Sequence, residues 1–183
     1  MSLAYLFMIE FPLGARILDL GTGGGLPGIP LSIFREDVDF VLIDSIQKKT
    51  AAVQDMLTML LLPNVRVECG RAEDLSRINI YRHTFDAVIA RGVSSLDKLV
   101  EWATPFLKLG DASKRFTIQR PKRAVLTHPV LISMKGGDLS VEVDRTKKRF
   151  PNIGLHLCQV TFSGSEVLEN FEKKIIIVET NKG

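Results

Sequence analysis

A glycine-rich segment near the start of the chain has the clearest chemical meaning. Five of the eight residues from 21 to 28 are glycine. Glycine allows tight turns and close approach of a ligand to the backbone, so this density indicates a binding loop rather than a simple turn. Gly23, Gly25 and Gly28 also satisfy the dinucleotide pattern G-x-G-x-x-G, which is weak evidence alone. Asp44 follows about twenty residues later, where an acid can hold ribose hydroxyls.

Two classes of cofactor are compatible with this loop. A nicotinamide cofactor would place its pyrophosphate on the N-terminus of the following helix. S-adenosylmethionine has no phosphate and needs a group that faces its ammonium. The pattern acid-x-Gly-x-Gly-x-Gly, which begins at Asp19, favours S-adenosylmethionine, because a carboxylate would repel a pyrophosphate. The residues expected to bind the cofactor from this pattern are Asp19, Thr22, Gly23, Gly25 and Asp44 with its neighbour Ser45. Asp44 could instead cap the next helix, a role that Ser45 could fill equally well.

The elements that must position these residues alternate between short apolar runs and longer amphipathic segments. Strands are predicted at residues 16–20, 39–44, 65–69, 85–90, 130–135, 154–160 and 174–179. Helices are predicted from Pro27 onward and over residues 48–62, 96–107 and 138–150. This alternation predicts an α/β fold with a doubly wound, mainly parallel Rossmann-like sheet and an antiparallel C-terminal hairpin. Ligands of such sheets bind beyond the carboxyl ends of the strands.

Composition is that of an ordinary globular protein. The 183 residues are 45% hydrophobic and 25% charged, and we expect a single domain over 1–183. A net charge of +3 permits an anionic partner without requiring one. No apolar stretch approaches the roughly 20 residues that a membrane span needs. Cys69 and Cys158 are too few for a zinc site and are interpreted as small core residues in a protein of the reducing cytoplasm.

A longer set of motifs resembles one family. The segment Gly21-Thr22-Gly23-Gly24-Gly25-Leu26-Pro27-Gly28-Ile29-Pro30-Leu31 is followed by Leu42-Ile43-Asp44-Ser45 and Lys48-Lys49. Further matches are Arg71-Ala72-Glu73, Ala90-Arg91 and Met134-Lys135-Gly136. Together they resemble RsmG (GidB), the bacterial methyltransferase family that acts on N7 of a guanine in small-subunit (16S) ribosomal RNA. The resemblance runs from about Arg16 to the C-terminus, and Gly-Leu-Pro-Gly-Ile-Pro is its most specific part.

This resemblance implies roles for individual residues. It implies S-adenosyl-L-methionine as cofactor, small-subunit ribosomal RNA or a ribosomal particle as partner, and neither a membrane nor a metal. The cofactor contacts of the family fall on Gly21, Leu26, Ala72, Glu73 and Arg91. The RNA-binding positions fall on Lys48, Lys49, Arg71 and Lys135, and Arg91 and Lys135 would position the reacting groups. Each of these basic residues could also be an ordinary surface or capping charge.

The chemistry of the remaining sequence agrees with guanine N7 as the acceptor. N7 carries an in-plane lone pair and no proton, so a site for its methylation needs alignment rather than a general base. Carbon methylation of cytosine would use a cysteine nucleophile, usually beside a proline, and neither cysteine follows one. Amino methylation of adenine typically uses an Asn/Asp-Pro-Pro-aromatic loop, whereas the corresponding loop here is Arg91-Gly92-Val93-Ser94.

Two departures from the family pattern leave alternatives open. About fifteen residues precede the first strand. We therefore expect most of the family's N-terminal helical segment to be missing and residues 3–11 to cover an apolar face poorly. A basic insertion at about 111–129 could be a disordered surface loop or an extra phosphate-binding loop. The alternatives to the family's reaction are a Rossmann-type methyltransferase on another substrate and a cofactor- or RNA-binding form without turnover. A nicotinamide dehydrogenase ranks last.

Overall fold

The computed structural model describes residues 3–110, 114–119, 123–160 and 173–180. In chain order the elements are α1 (Ala4–Met8), β1 (Ile9–Glu10), β2 (Arg16–Leu20), α2 (Gly28–Phe34), β3 (Asp39–Asp44), α3 (Gln47–Leu60), β4 (Val65–Cys69), α4 (Ala72–Leu75), β5 (Ala87–Arg91), α5 (Leu96–Ala103), β6 (Thr117–Ile118), β7 (Ala124–Val125), β8 (Val130–Gly136), α6 (Ser140–Arg149), β9 (Gly154–Gln159) and β10 (Lys173–Glu179).

A seven-stranded sheet of order β4-β3-β2-β5-β8-β10-β9 organises the chain. The first five strands in this order are parallel, and β10 runs antiparallel to both β8 and β9. The predicted doubly wound sheet with its C-terminal hairpin is therefore confirmed. The chain builds outward from β2 through β3 to β4 and then returns to β5, so the topological switch lies between β2 and β5. In an open α/β sheet this is where a ligand crevice forms.

The central strands are mostly apolar and buried because both faces of the sheet are covered. Ile17 packs into a core beneath α1, α2 and α3, and its neighbour Leu18 packs into a second core on the opposite face. Successive residues of a strand point to opposite faces, so one run of apolar residues supplies both cores. Helix α5 covers the second face with the buried stripe Leu96, Leu99, Val100 and Ala103, the spacing of one face of a helix.

The N-terminal segment covers the sheet better than the sequence predicts. Tyr5 and Met8 are fully buried and Phe11 is only 3% exposed, so the expectation of poor cover by residues 3–11 is wrong. The reason is a second, three-stranded sheet of order β1-β6-β7, in which β1 of this segment pairs with β6. Its strands β6 and β7 come from the described part of the 111–129 segment, and Phe116 from that segment contacts Phe11 edge to face with ring centroids 5.6 Å apart.

The described part of the basic insertion is thus folded rather than loose. The basic residues Arg120 and Lys122 lie outside the described residues, and a phosphate-binding role for this segment stays a prediction.

Cys158 is buried as expected, but Cys69 is exposed. That interpretation of Cys69 is wrong because β4 is the edge strand and Cys69 is its last residue. Within the described ranges, no helix combines the length and apolar character needed to cross a membrane.

Candidate functional site

A cleft of about 310 Å³ opens at the carboxyl ends of β2, β3, β4 and β5. That volume is at the lower end of the range for ligand pockets. The residues that line it are Leu20, Gly21, Ile43, Asp44, Ser45, Lys49, Gly70, Arg71, Ala72, Glu73, Gly92, Val93 and Trp102. The cleft brings together seven of the residues that the sequence analysis singled out, from the ends of the three strands β2, β3 and β4.

The glycine-rich loop packs very closely against the ends of β2 and β3. Gly21 has φ +72°, a conformation that side chains disfavour. Gly28 opens α2, and a Cβ there would lie 2.8 Å from Asp19 Oδ2 and 2.8 Å from the Leu42 side chain. Only glycine therefore lets α2 begin directly against β2 and β3.

Asp19 holds this loop from below. Its Oδ2 accepts hydrogen bonds from the Thr22 hydroxyl at 2.7 Å and from the Gly28 N–H at 2.9 Å. Its Oδ1 is buried and has no hydrogen-bond partner. Burial raises the pKa of Asp19 from 3.8 to about 6, although both hydrogen bonds and the charge of Arg91 act in the opposite direction. A buried carboxylate oxygen without a partner is costly, so Oδ1 is a candidate acceptor for a bound ligand.

Asp44 ties the loop to β3 at the mouth of the cleft. Its Oδ2 accepts a hydrogen bond from the Gly23 N–H at 3.0 Å, and its Oδ1 accepts one from the Ile46 N–H at 2.9 Å. Ile46 is the residue before α3, so Asp44 does help to start this helix, as its alternative interpretation requires. The same carboxylate lines the cleft. The two roles are compatible, because each carboxylate oxygen can accept more than one hydrogen bond.

Trp102 is a site residue that the sequence analysis missed. It is the single tryptophan of the chain and lies on α5, half-buried, beside the buried stripe of that helix rather than in it. Its side chain lines the cleft together with Glu73 and Asp44. The signal was a large aromatic residue at the border of an amphipathic helix, which marks a side chain with one packed and one accessible face.

A second cavity of about 410 Å³ adjoins the cleft, and Gly92 lines both. Its lining consists of Arg91, Gly92, Met134, Lys135, Gly136, Leu139, Glu142 and Lys173. Arg91 and Lys135, predicted to position the reacting groups, are thus brought together here. Lys135 Nζ donates to the Ser94 carbonyl at 2.7 Å and to Glu142 Oε1 at 2.7 Å. The sequence analysis did not single out Glu142, because only the tertiary fold brings α6 to this cavity.

The other predicted site residues lie outside both cavities. Thr22, Gly23 and Gly25 belong to the loop itself, and Leu26 is 40% exposed on its outer side. Lys48 is exposed on the first turn of α3, next to the cleft residue Lys49. Among the residues that the structure describes, no group of three or more His, Cys, Asp or Glu side chains is arranged to hold a metal ion.

The sequence and the fold are both similar to those of known proteins. The family model GidB, rRNA small subunit methyltransferase G, matches residues 2–149. A relative named ribosomal RNA small subunit methyltransferase G from Clostridium novyi (strain NT) is 43% identical over 95 residues, which are 52% of this chain and 39% of that protein. One of the same name from Desulfitobacterium hafniense (strain Y51) is 33% identical over 178 residues, which are 97% of this chain and 65% of that protein.

The chain therefore spans less than two thirds of the length of these relatives. A crystal structure of a predicted O-methyltransferase from Agrobacterium tumefaciens superposes with a TM-score of 0.69 at 13% identity, covering 99% of this chain and 81% of that one. At that identity the match establishes the Rossmann-like fold alone.

Proposed function

The chain belongs to the GidB family, rRNA small subunit methyltransferase G, and from this premise we propose that it transfers a methyl group from S-adenosylmethionine to N7 of a guanine in small-subunit ribosomal RNA. The observation that carries the proposal is the pair of adjoining cavities at the topological switch. The groups that line the first suit S-adenosylmethionine, and the basic residues that line the second suit RNA.

The first cavity fits the cofactor by the chemistry of its groups. The Asp44 carboxylate lines this cavity and is an acceptor for the ribose hydroxyls. Asp19 is not part of the lining but lies buried beneath the glycine loop at its border, and we assign its unpartnered Oδ1 as the acceptor for the cofactor's ammonium. Ala72 and Glu73 come from the start of α4, and Trp102 offers an aromatic face to the adenine. When bound there, S-adenosylmethionine would supply a methyl group on a sulfonium, ready for in-line attack.

The second cavity suits a base that needs only to be held in place. Guanine N7 loses no proton on methylation, so the chain's task is to orient the base and to tolerate the positive charge that forms on it. Arg91 lines this cavity, half-buried, and can contact a phosphate or a base edge. Lys135 is committed to Ser94 and Glu142, so we assign it the role of shaping the loop after β5.

Lys49 and Arg71 line the cleft and Lys48 lies beside Lys49. All three are exposed, which suits contacts to RNA phosphates. A target base in folded RNA must leave its stack to enter this cavity. We propose naked small-subunit RNA or the ribosomal particle as substrate, and the cytoplasm as the place of reaction.

Calorimetric titration with S-adenosylhomocysteine tests the cofactor assignment, with NAD as the competing ligand. We expect binding of S-adenosylhomocysteine alone, and a loss of at least ten-fold in affinity for Asp44→Asn because a charged acceptor is removed. The matched control is Asp55→Asn, an exposed carboxylate on α3 away from the cleft. Binding of NAD alone would overturn the assignment.

Transfer of a labelled methyl group then tests the reaction, with naked small-subunit RNA and with the assembled small subunit as parallel substrates. Incorporation into either supports the proposal and identifies the substrate form. Cofactor binding without transfer to either would favour a form that binds without turnover. Transfer to a different class of acceptor would favour a methyltransferase with another substrate.

A further inference from the structure

We infer that the cavity beside Gly92 is a guanine pocket in which Glu142 reads the Watson–Crick edge of the target base. The inference deepens the proposed function and rests on it. It assigns a specificity-determining role to a residue on α6, an element that contributes nothing to the cofactor cleft.

The position and walls of this cavity suit a purine. Gly92 lines both this cavity and the cofactor cleft, so a base held here lies next to the methyl donor. The side chains of Met134 and Leu139 are almost fully buried and offer apolar surface to the faces of a ring. Four charged side chains complete the lining, namely Arg91, Lys135, Lys173 and Glu142, and Glu142 is the one acid among them. The combination of apolar surface with charged groups suits a base that has flat faces and polar edges.

Two hydrogen bonds, both to the same oxygen, hold the Glu142 carboxylate in place. Its Oε1 accepts hydrogen bonds from Lys135 Nζ at the end of β8 and from the N–H of Leu96 at the start of α5. Lys135 in turn donates to the carbonyl of Ser94. Within the described residues the structure records no hydrogen bond to Oε2 of Glu142. The Glu142 side chain is 19% exposed and lines the cavity, and we assign Oε2 as the oxygen that meets the base.

A fixed, unpaired carboxylate oxygen selects guanine by hydrogen-bond polarity. Guanine presents two donors on its Watson–Crick edge, N1–H and the 2-amino group, whereas adenine presents an acceptor at N1. A carboxylate therefore attracts guanine at this edge and repels adenine.

Contact at N1 and the 2-amino group also serves the reaction. These atoms lie on the opposite side of the purine from N7, so holding them leaves N7 free to face the cofactor cleft. Methylation at N7 gives the base a positive charge, and a carboxylate on its far edge stabilises that charge as it develops.

Binding of mononucleotides to the 183-residue chain tests the pocket without RNA, in the presence of S-adenosylhomocysteine. Guanosine 5′-monophosphate should bind about ten-fold more tightly than inosine 5′-monophosphate, which lacks only the 2-amino group, and adenosine 5′-monophosphate should bind weakest. The N1-methyl derivative of the guanine nucleotide should not bind, and the 7-deaza derivative should bind as well as guanine. These four comparisons need no variant.

The variant Glu142→Gln places an amide N–H where Oε2 stood and keeps an oxygen for Leu96. It should lower guanine affinity about ten-fold and abolish the preference over inosine. The matched control is Asp144→Asn, an exposed carboxylate on the same helix, which should leave both unchanged. Absence of guanine binding by the unmodified chain, or a preference over inosine that persists in Glu142→Gln, would overturn the inference. Methyl transfer to RNA, measured in parallel on the unmodified chain, decides the proposed function separately.

Discussion

Replacing Asp19 with Asn should stabilise the protein at neutral pH while it weakens cofactor binding. The amide can keep the hydrogen bonds from Thr22 and Gly28 through its oxygen, because both converge on a single carboxylate oxygen, Oδ2. Its NH₂ group then takes the place of Oδ1, which is buried and unpartnered. The substitution therefore removes a buried negative charge without changing the shape of the side chain or the contacts that hold the loop.

The magnitude follows from the raised pKa of Asp19. Burial moves this pKa from 3.8 to about 6, so between these values the folded protein keeps a proton that the unfolded chain has released. Stability of the unmodified protein therefore falls as pH rises through this window. At roughly 1.4 kcal/mol per pKa unit, the charged carboxylate costs about 3 kcal/mol of stability at pH 7. For a chain of this size Asp19→Asn should raise Tm at pH 7 by about 6–12 °C.

Urea unfolding of both proteins between pH 4 and pH 8 measures this difference directly. The stability advantage of Asp19→Asn should be close to zero at pH 4, grow up to about pH 6 and then stay constant. Calorimetry with S-adenosylhomocysteine at pH 7 should show a ten-fold or greater loss of affinity, because the cofactor's ammonium loses a charged acceptor. The exposed Asp55→Asn is the control for both assays. A stability difference that does not depend on pH, or an unchanged affinity, would refute this reasoning.

Three further substitutions probe other parts of the site. Gly28→Ala should destabilise the protein by about 1–3 kcal/mol in urea unfolding, since the added Cβ meets Asp19 and Leu42 at 2.8 Å; a neutral effect would show that α2 can shift. Trp102→Ala should weaken S-adenosylhomocysteine binding about ten-fold while unfolding changes less, and equal affinity would exclude the indole from the cofactor site. Arg71→Ala should lower the slope of log affinity for RNA against log salt by about 0.7–0.9, and an unaltered slope would mean that Arg71 contacts no phosphate.

Local patterns in the sequence predicted the sheet and most of the cleft. Apolar runs such as those ending at Leu20 and Asp44 are bounded by turns, so their extents could be read within a few residues. The glycine loop and the acid that follows it also have a fixed spacing. Helix α3 was predicted to reach residue 62 but ends at Leu60, because Leu61 adopts a left-handed conformation with φ 53°. No pattern in the sequence predicted the left-handed conformation of Leu61.

Contacts between distant elements were beyond the reach of these patterns. Glu142 bonds to the N–H of Leu96 across 46 residues of sequence, and only the packing of α6 beside α5 brings them together. The burial of Tyr5 likewise depends on the small sheet that β6 and β7 form with β1, which two-residue strands do not reveal. Its hydroxyl donates to the carbonyl of Ala90 at 3.0 Å, so the N-terminal segment supports the strand that carries Arg91.

RNA in which guanosine is replaced by 7-deazaguanosine shows whether guanine N7 is the methyl acceptor. This analogue exchanges N7 for a carbon and leaves the Watson–Crick edge intact. With labelled S-adenosylmethionine, ordinary small-subunit RNA should yield 7-methylguanosine on nucleoside analysis, and the 7-deaza RNA should incorporate no label. Equal incorporation into both RNAs would contradict guanine N7 as the methyl acceptor.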